Sequence, residues 1–348
     1  MNSNSLKDAK LKPLRLGFAG AGWIGRHRMQ SLVQSGHASV AAIVEPSAEM
    51  ADLALDFAPD AELVGSFKDM LDRDLDGVVI ATPSAMHASQ SVAALERGFA
   101  VFCQKPLGRD CDEVEAVIAA AQRADRLLGV DLSYRHTAGI AFIRDVIRSG
   151  ELGSIYLADL TFHNAYGPDK AWFYDRQKSG GGCVIDLGVH LVDLGLYVMD
   201  FPRVRRVDSS LFRQGHPLEA SGAEVEDCAI ATIELENGAS VRIACSWRLH
   251  AGCDAVISAS FYGTEGGVEM RNVGGSFFDF ETRRLAGTSS SIICGPPEDW
   301  GGRAIIEWAR RLSAGDRFDR RCEQFVAVAD VLDGIYGRDP LAKLQRVV

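Results

Sequence analysis

The sequence predicts an α/β protein with a doubly wound parallel sheet first. A C-terminal α+β domain with a large, mostly antiparallel open sheet follows. Three observations predict it. Over residues 14–132 short apolar runs alternate with amphipathic ones, and the runs are apolar on both faces, as strands of a sheet covered on both sides must be. A glycine-rich turn joins the first run to the first amphipathic segment. After residue 134 the apolar period becomes two, with hairpin signals between runs.

The elements follow in order. Residues 14–19 (LRLGFA) form the first strand and residues 26–35 the first helix. The second strand, 40–44, ends at Glu45, and an amphipathic run covers 48–57. Strand 77–81 ends in Thr82-Pro83, before a helix at 87–97. Strand 100–103 ends in Gln104-Lys105-Pro106; a helix at 111–124 and a fifth strand at 127–132 complete the unit. A helix at 140–149 leads to an alternating strand at 154–163. Runs 225–235 and 239–247 meet across Glu236-Asn237-Gly238, and Asn-Gly between alternating runs marks a hairpin. Runs 257–262 and 268–271 form a second hairpin, and helices at 304–312 and 322–336 close the chain. We divide it into 1–133, the doubly wound unit, and 134–348, the antiparallel-sheet unit, with the last helices expected to pack back on the first.

Composition narrows the function. The chain has 348 residues, 47% hydrophobic and 24% charged, which fits two globular domains and excludes disordered or fibrous classes. A net charge of -10 disfavours a nucleic-acid partner. No run of 18 apolar residues suggests a membrane partner, and polar residues 1–12 do not resemble a secretory signal. The eight cysteines form no CxxC pair and no zinc spacing with histidine, so no metal is expected and free thiols in a cytoplasmic setting are.

The chemistry-bearing motifs lie at strand ends. Gly20, Gly22 and Gly25 fit G-x-G-x-x-G between strand and helix, the dinucleotide fingerprint of a Rossmann domain. With Trp23 and Ile24 they bring a helix N-terminus to the phosphates. Glu45 stands where a carboxylate takes ribose hydroxyls and repels a 2′-phosphate, and no arginine follows it until Arg73, which favours NAD over NADP. Thr82, Pro83 and His87 lie on the ligand-binding edge, with Gln104 and Lys105; the lysine can stabilise negative charge developing on an oxygen. Residues 179–193 (SGGGCVIDLGVHLVD) place Asp186 and His190 four apart, on one face of a helix. A carboxylate there raises a histidine's pKa and orients it. Asp193 reads as a capping or solvated acid, and Cys183 as a thiol beside the pair. Tyr134, Arg135, His163, Asn164, Tyr166, Trp172, Tyr174 and Arg176 are candidate cleft residues, since aromatic faces and polar groups together suit a sugar or polyol.

These motifs together, GAGWIG, ATPSAMH, QKP and GGGCVIDLGVH, resemble those of the Gfo/Idh/MocA oxidoreductase family over almost the whole chain. The family's usual triplet is Glu-Lys-Pro, so Gln104 removes a negative charge beside the lysine. The resemblance implies a cis Lys105–Pro106 bond, a homodimer or homotetramer, and catalytic roles for Lys105, Asp186 and His190. His190 would take the hydroxyl proton, Lys105 hold the oxygen, and Asp186 orient the substrate or His190. The implied activity is NAD-dependent oxidation of a secondary hydroxyl on a sugar, cyclitol or polyol. A glycoside-cleaving relative using transient NAD oxidation and a non-catalytic dinucleotide sensor are the alternatives.

Overall fold

Strands β1 (Leu14–Ala19), β2 (Ala38–Val44), β3 (Glu62–Leu63), β4 (Gly77–Ile80), β5 (Ala100–Cys103) and β6 (Leu128–Val130) form a parallel sheet in the order β3-β2-β1-β4-β5-β6. This is the computed structural model of the chain, and it describes residues 13–218 and 224–338. Residues 1–12, and with them the expectation about a leader, lie outside the described residues. Strand order reverses between β1 and β4, which opens a crevice at their carboxyl ends.

The strands are buried on both sides because successive side chains alternate between faces. Leu16, Phe18, Val79 and Phe102 pack with Met29 and Leu32 of α1 (Trp23–Gln34). Val78, Ile80, Val101 and Cys103 pack on the other face with Leu95, Val117 and Ile118. The remaining helices of this half are α2 (Ala48–Leu55), α3 (Phe67–Leu71), α4 (Ser84–Glu96) and α5 (Cys111–Ala124). Asp110 fixes the start of α5 by accepting from the Glu113 amide. The sequence reading missed β3 and α3, which are two and five residues long and show no period.

The second half comprises α6 (Ala138–Ser149), β7 (Ile155–Asn164), α7 (Arg176–Ser179), α8 (Val189–Tyr197), β8 (Val204–Arg213), β9 (His216–Pro217), β10 (Cys228–Leu235) and β11 (Ser240–Ser246). It continues with β12 (Ala255–Gly263), β13 (Gly267–Asn272), β14 (Phe280–Ala286), β15 (Ser289–Cys294), α9 (Arg303–Ser313) and α10 (Glu323–Ile335). The nine strands run β15-β14-β13-β12-β7-β11-β10-β8-β9, and only β7 and β11 pair in parallel among the described residues. β10 and β11 form the expected Asn237-Gly238 hairpin, with Gly238 at φ +87°. The missed strands β8 and β15 are largely exposed, so their sequences carry little apolar alternation.

One face of this sheet is packed by Ile140 and Ile143 of α6, Leu191 and Val192 of α8, and Val331 and Leu332 of α10, against Leu160, Ile233, Val241 and Phe261. The helical stretch 176–197 is long and apolar enough to cross a membrane, but 94% of its most apolar part is buried inside the protein, as in a core helix. The last helices do return to the first half. Ile305 and Trp308 of α9 join the core cluster that contains Phe102. A Cβ at Gly129 would lie 2.7 Å from the Trp308 ring, and one at Gly77 3.0 Å from it, so these glycines make its socket.

Candidate active site

The turn after β1 is shaped by its glycines. Gly20 has φ +88°, and a Cβ there would fall 2.4 Å from the Ala81 carbonyl oxygen. A Cβ at Gly25 would fall 2.4 Å from the Gly20 carbonyl oxygen. Gly22 differs, because a Cβ there meets nothing within 4 Å. Its bareness is not needed for the fold and leaves room for a ligand to reach the backbone. α1 starts at Trp23 without a side-chain cap, so its first amides point outward with the positive end of the helix dipole. Trp23 itself is 62% exposed. The cradle fits a dinucleotide pyrophosphate.

Glu45 ends β2 beside this turn. Its Oε2 accepts from the Ala21 amide at 2.7 Å and its Oε1 from the Ser47 amide at 2.9 Å, which fixes the carboxylate beside the glycine turn. Arg26 of α1 donates to the Ala21 carbonyl at 2.8 Å, so a guanidinium stands at this turn from upstream, a feature the count of arginines after Glu45 overlooked. Thr82 donates to Gln90 Oε1 at 2.7 Å, and Pro83 precedes α4. His87 corrects the expectation of a cofactor contact. It is buried, and its ring nitrogens lie 2.6 Å from the Thr82 carbonyl oxygen and 2.7 Å from the Pro106 carbonyl oxygen. It ties the loops after β4 and β5 together, and burial pulls its pKa below the ordinary value.

Lys105 follows β5, and the Lys105–Pro106 bond is cis, as expected. Its Nζ donates to Asp186 Oδ1 and to the Asp186 carbonyl, both at 2.7 Å. The two side chains are 21% and 17% exposed, so the pair sits at the edge of solvent. Asp186 Oδ2 accepts from Trp247 Nε1 at 3.1 Å. The carboxylate therefore aims the lysine rather than the histidine, which corrects the sequence reading of the Asp186–His190 pair. The backbone explains it: residues Val184–Gly188 form a π-helical turn, which changes the spacing before α8 begins.

His190 is buried against the Tyr134 ring, 4.9 Å between centroids, and the Phe162 ring, 6.4 Å. Among the described residues none hydrogen-bonds its ring nitrogens. Its pKa is held well below the ordinary value, first by burial and then by the Lys105 and Arg28 cations. The direction is opposite to the rise expected from Asp186. The imidazole is therefore neutral at pH 7.

The glycine run before Asp186 is built around Glu226, which the sequence reading did not single out. Glu226 Oε1 accepts from the Gly182 and Val184 amides, both at 2.9 Å, and from the Tyr336 hydroxyl at 2.8 Å. A Cβ at Gly182 would stand 1.9 Å from the Glu226 carbonyl oxygen. Burial pushes the Glu226 pKa up. Cys183 is buried 3.8 Å from the Cys245 sulfur, and burial raises its pKa, so its thiol is not activated. All eight cysteines are free, and no group of three or more metal-ligating side chains occurs among the described residues.

The cleft candidates separate. Tyr134 is buried between His190, Phe162, Phe280 and Trp300, and burial pushes its phenol up. Arg135 is a correction: its Nε donates to Asp193 Oδ2 at 2.8 Å, and its guanidinium lies over the Tyr197 ring. This pair corrects Asp193 too, which is buried rather than solvated. His163 Nδ1 lies 2.7 Å from Ser246 Oγ, and burial lowers its pKa. Trp172 stacks on Phe173, and Tyr174 packs 5.6 Å from Trp247, the residue that holds Asp186. Asn164 accepts the Leu249 amide with its carbonyl; Tyr166 is exposed beside Phe277, and Arg176 lies over Tyr336. Trp247 was legible only as the end of the run at 239–247.

A glycine turn at a helix start, with a lysine–carboxylate pair and a buried histidine elsewhere in the chain, fits an NAD-binding oxidoreductase. Residues 14–132 match the oxidoreductase family with the NAD-binding Rossmann fold, and residues 140–269 match the GFO/IDH/MocA C-terminal domain. The chain belongs to the Gfo/Idh/MocA oxidoreductase family. It is 27% identical over 205 residues to D-glucoside 3-dehydrogenase of Escherichia coli (strain K12), a match covering 56% of this chain and spanning 58% of that relative's length. It is 30% identical over 263 residues to a putative UDP-kanosamine synthase oxidoreductase subunit of Amycolatopsis mediterranei (strain S699), covering 70% of this chain and 71% of the relative. The fold is shared with levoglucosan dehydrogenase in complex with NADH and levoglucosan, at a TM-score of 0.79, 21% identity, and coverage of 94% of this chain and 97% of that one.

Proposed function

We propose that the protein catalyses reversible oxidation of a secondary hydroxyl on a sugar, cyclitol or related polyol, with NAD as coenzyme. The observation that carries this reading is the placement of Lys105, aimed by Asp186 at 2.7 Å, with a buried neutral His190 in the field of the same lysine. NAD, when bound, takes up the hydride leaving the carbinol carbon. His190 accepts the hydroxyl proton on a ring nitrogen, which leaves a carbonyl as product. Lys105 donates to the substrate oxygen and offsets the negative charge that grows on it during proton loss. Asp186 keeps the ammonium in place. Gly20, Gly22, Trp23, Ile24 and Gly25 hold the pyrophosphate, and Glu45 the ribose. Tyr134 backs His190, while Trp172, Tyr174 and His163 offer ring faces and polar edges to the sugar.

The division at residue 134, with nucleotide binding before it and substrate binding after it, belongs to the same reading. So do a homodimer or homotetramer associating through the open sheet face and a reducing, cytoplasmic setting for the free thiols. Light scattering on the full chain checks the assembly, and a monomer at micromolar concentration refutes it. A panel of sugars and polyols with NAD and NADP, followed by nicotinamide absorbance, tests the activity. Lys105→Met and His190→Ala are expected to lower kcat by roughly 10²–10⁴-fold with NADH binding retained. Unchanged turnover in both removes the assignment. Product without accumulating NADH fits the glycoside-cleaving alternative, and coenzyme binding without turnover fits a sensor.

A further inference from the structure

Asp131 follows β6 as Gln104 follows β5, and the two strands are neighbours, with Cys103 paired to Val130. The Asp131 amide donates to the Cys103 carbonyl at 2.9 Å, which brings the two side chains together. Asp131 Oδ2 accepts from Gln104 Nε2 at 2.5 Å and from Arg28 Nε at 2.6 Å, and all three residues are buried. Arg28 reaches in from α1, with His27 Nδ1 at 2.9 Å and Ser133 Oγ at 3.3 Å on its other nitrogens. Among the described residues Asp131 Oδ1 is buried with no partner.

A buried ion pair with a bare oxygen is a poor device for stability, because desolvation offsets most of the attraction. Its location suggests another use. Gln104 is the residue before Lys105, and the Arg28 charge is one of those that act on His190. We propose that Asp131 is a positioning residue of the reaction centre, anchoring Gln104 and so the lysine-bearing turn, and offsetting the buried Arg28 charge with which it pairs. A carboxylate thus stands one hydrogen bond from position 104, held by the neighbouring strand. Two ion pairs then act on His190, Lys105 with Asp186 and Arg28 with Asp131, with the Tyr134 phenol beside it. The proposal rests on the dehydrogenase reading for its kinetic part only.

The test is a charge transposition in the full chain: Asp131→Asn, Gln104→Glu, and the double variant, which moves the carboxylate across the same hydrogen bond. Three quantities are read: the thermal midpoint, kcat and KM against pH on a substrate from the panel, and the NMR titration of the His190 ring, which needs no substrate. Asp131→Asn is expected to lower kcat on the order of 10²-fold, as a displaced catalytic group does. Its KM for NAD should hold, and its His190 midpoint should move to lower pH because Arg28 is left unbalanced. The double variant should recover most of the kcat and the titration. A wild-type kcat and titration in Asp131→Asn overturn the proposal. So does a double variant that regains only its thermal midpoint, since the role is then structural. Should Asp131→Asn not fold, Gln104→Met severs the link to the lysine turn and leaves the Arg28–Asp131 pair intact. It should lower kcat without moving the His190 midpoint, and an unchanged kcat refutes the anchoring role. If no sugar is turned over, the His190 titration still decides the charge coupling.

Discussion

Replacing Gly22 by alanine separates the needs of the fold from those of the coenzyme. Gly22 has φ -59° and ψ -179°, a backbone open to any residue, and a Cβ there meets no atom within 4 Å. The unliganded Gly22→Ala protein should therefore be as stable as the wild type or gain about 0.4–1 kcal/mol through its less flexible unfolded chain. On the proposed reading coenzyme binding should suffer, because the new methyl group fills open space at the uncapped start of α1, where the pyrophosphate would be held. Losing one charge-assisted hydrogen bond costs about 1.5–3 kcal/mol, which weakens the Kd for NADH by roughly 10- to 100-fold. At 100 times the wild-type Kd, NADH stabilises the wild type by about 2.7 kcal/mol, and a tenfold weaker variant by only about 1.4 kcal/mol. Thermal unfolding with and without NADH, alongside calorimetric titration, measures both effects. A variant less stable without NADH, or one with unchanged affinity, would refute the reasoning and make Gly22 an ordinary turn residue.

Gly182→Ala should behave in the opposite way. Its Cβ meets the Glu226 carbonyl at 1.9 Å, and relieving that contact breaks the amide bonds to Glu226, so urea unfolding should show a loss of about 3 kcal/mol or more. The depressed pKa of His190 predicts that the acid limb of kcat/KM for oxidation lies below pH ~6.5. In the same window the unfolded chain binds a proton that the folded His190 refuses, so this group lowers stability as pH falls from about 6.5. A pH–rate profile with its acid limb at or above the ordinary histidine value contradicts this. Glu45→Ser removes the carboxylate and leaves Arg26 beside the turn, so the preference for NADP over NAD should rise at least about tenfold, the worth of ~1.4 kcal/mol of relieved repulsion. Equal affinities before and after the change show that Glu45 does not discriminate.

The first sheet was legible because each long strand is an apolar run bounded by a turn or cap, as with Asp110 before α5. β3 escaped because it is two exposed residues at a sheet edge. At the site, the glycine turn, Glu45 and the lysine triplet were readable because their chemistry depends on local order. The partners of Asp186 and Arg135 were not. Asp186 meets Lys105 from 81 residues away, and Arg135 meets Asp193 from 58. Helical periodicity assigned Asp186 to His190, and a single π turn undid that geometry. His87 looked like a ligand contact because it sits on the right edge, but two loop carbonyls already occupy its ring. Arg28 and Asp131 lack any motif, and only the adjacency of β5 and β6 gives them meaning.

The Trp308 socket sets an order of events for synthesis. Gly77 and Gly129 leave a slot in the nucleotide-binding sheet that is filled only by an indole from the last fifth of the polypeptide. A nascent chain released or paused after residue 133 carries every strand of that sheet yet exposes the face on which Phe102 and Ile305 are to meet. The nucleotide-binding half is thus encoded first and finished last. Expressed alone, it should be sticky and chaperone-dependent until a peptide bearing the α9 sequence is supplied in trans.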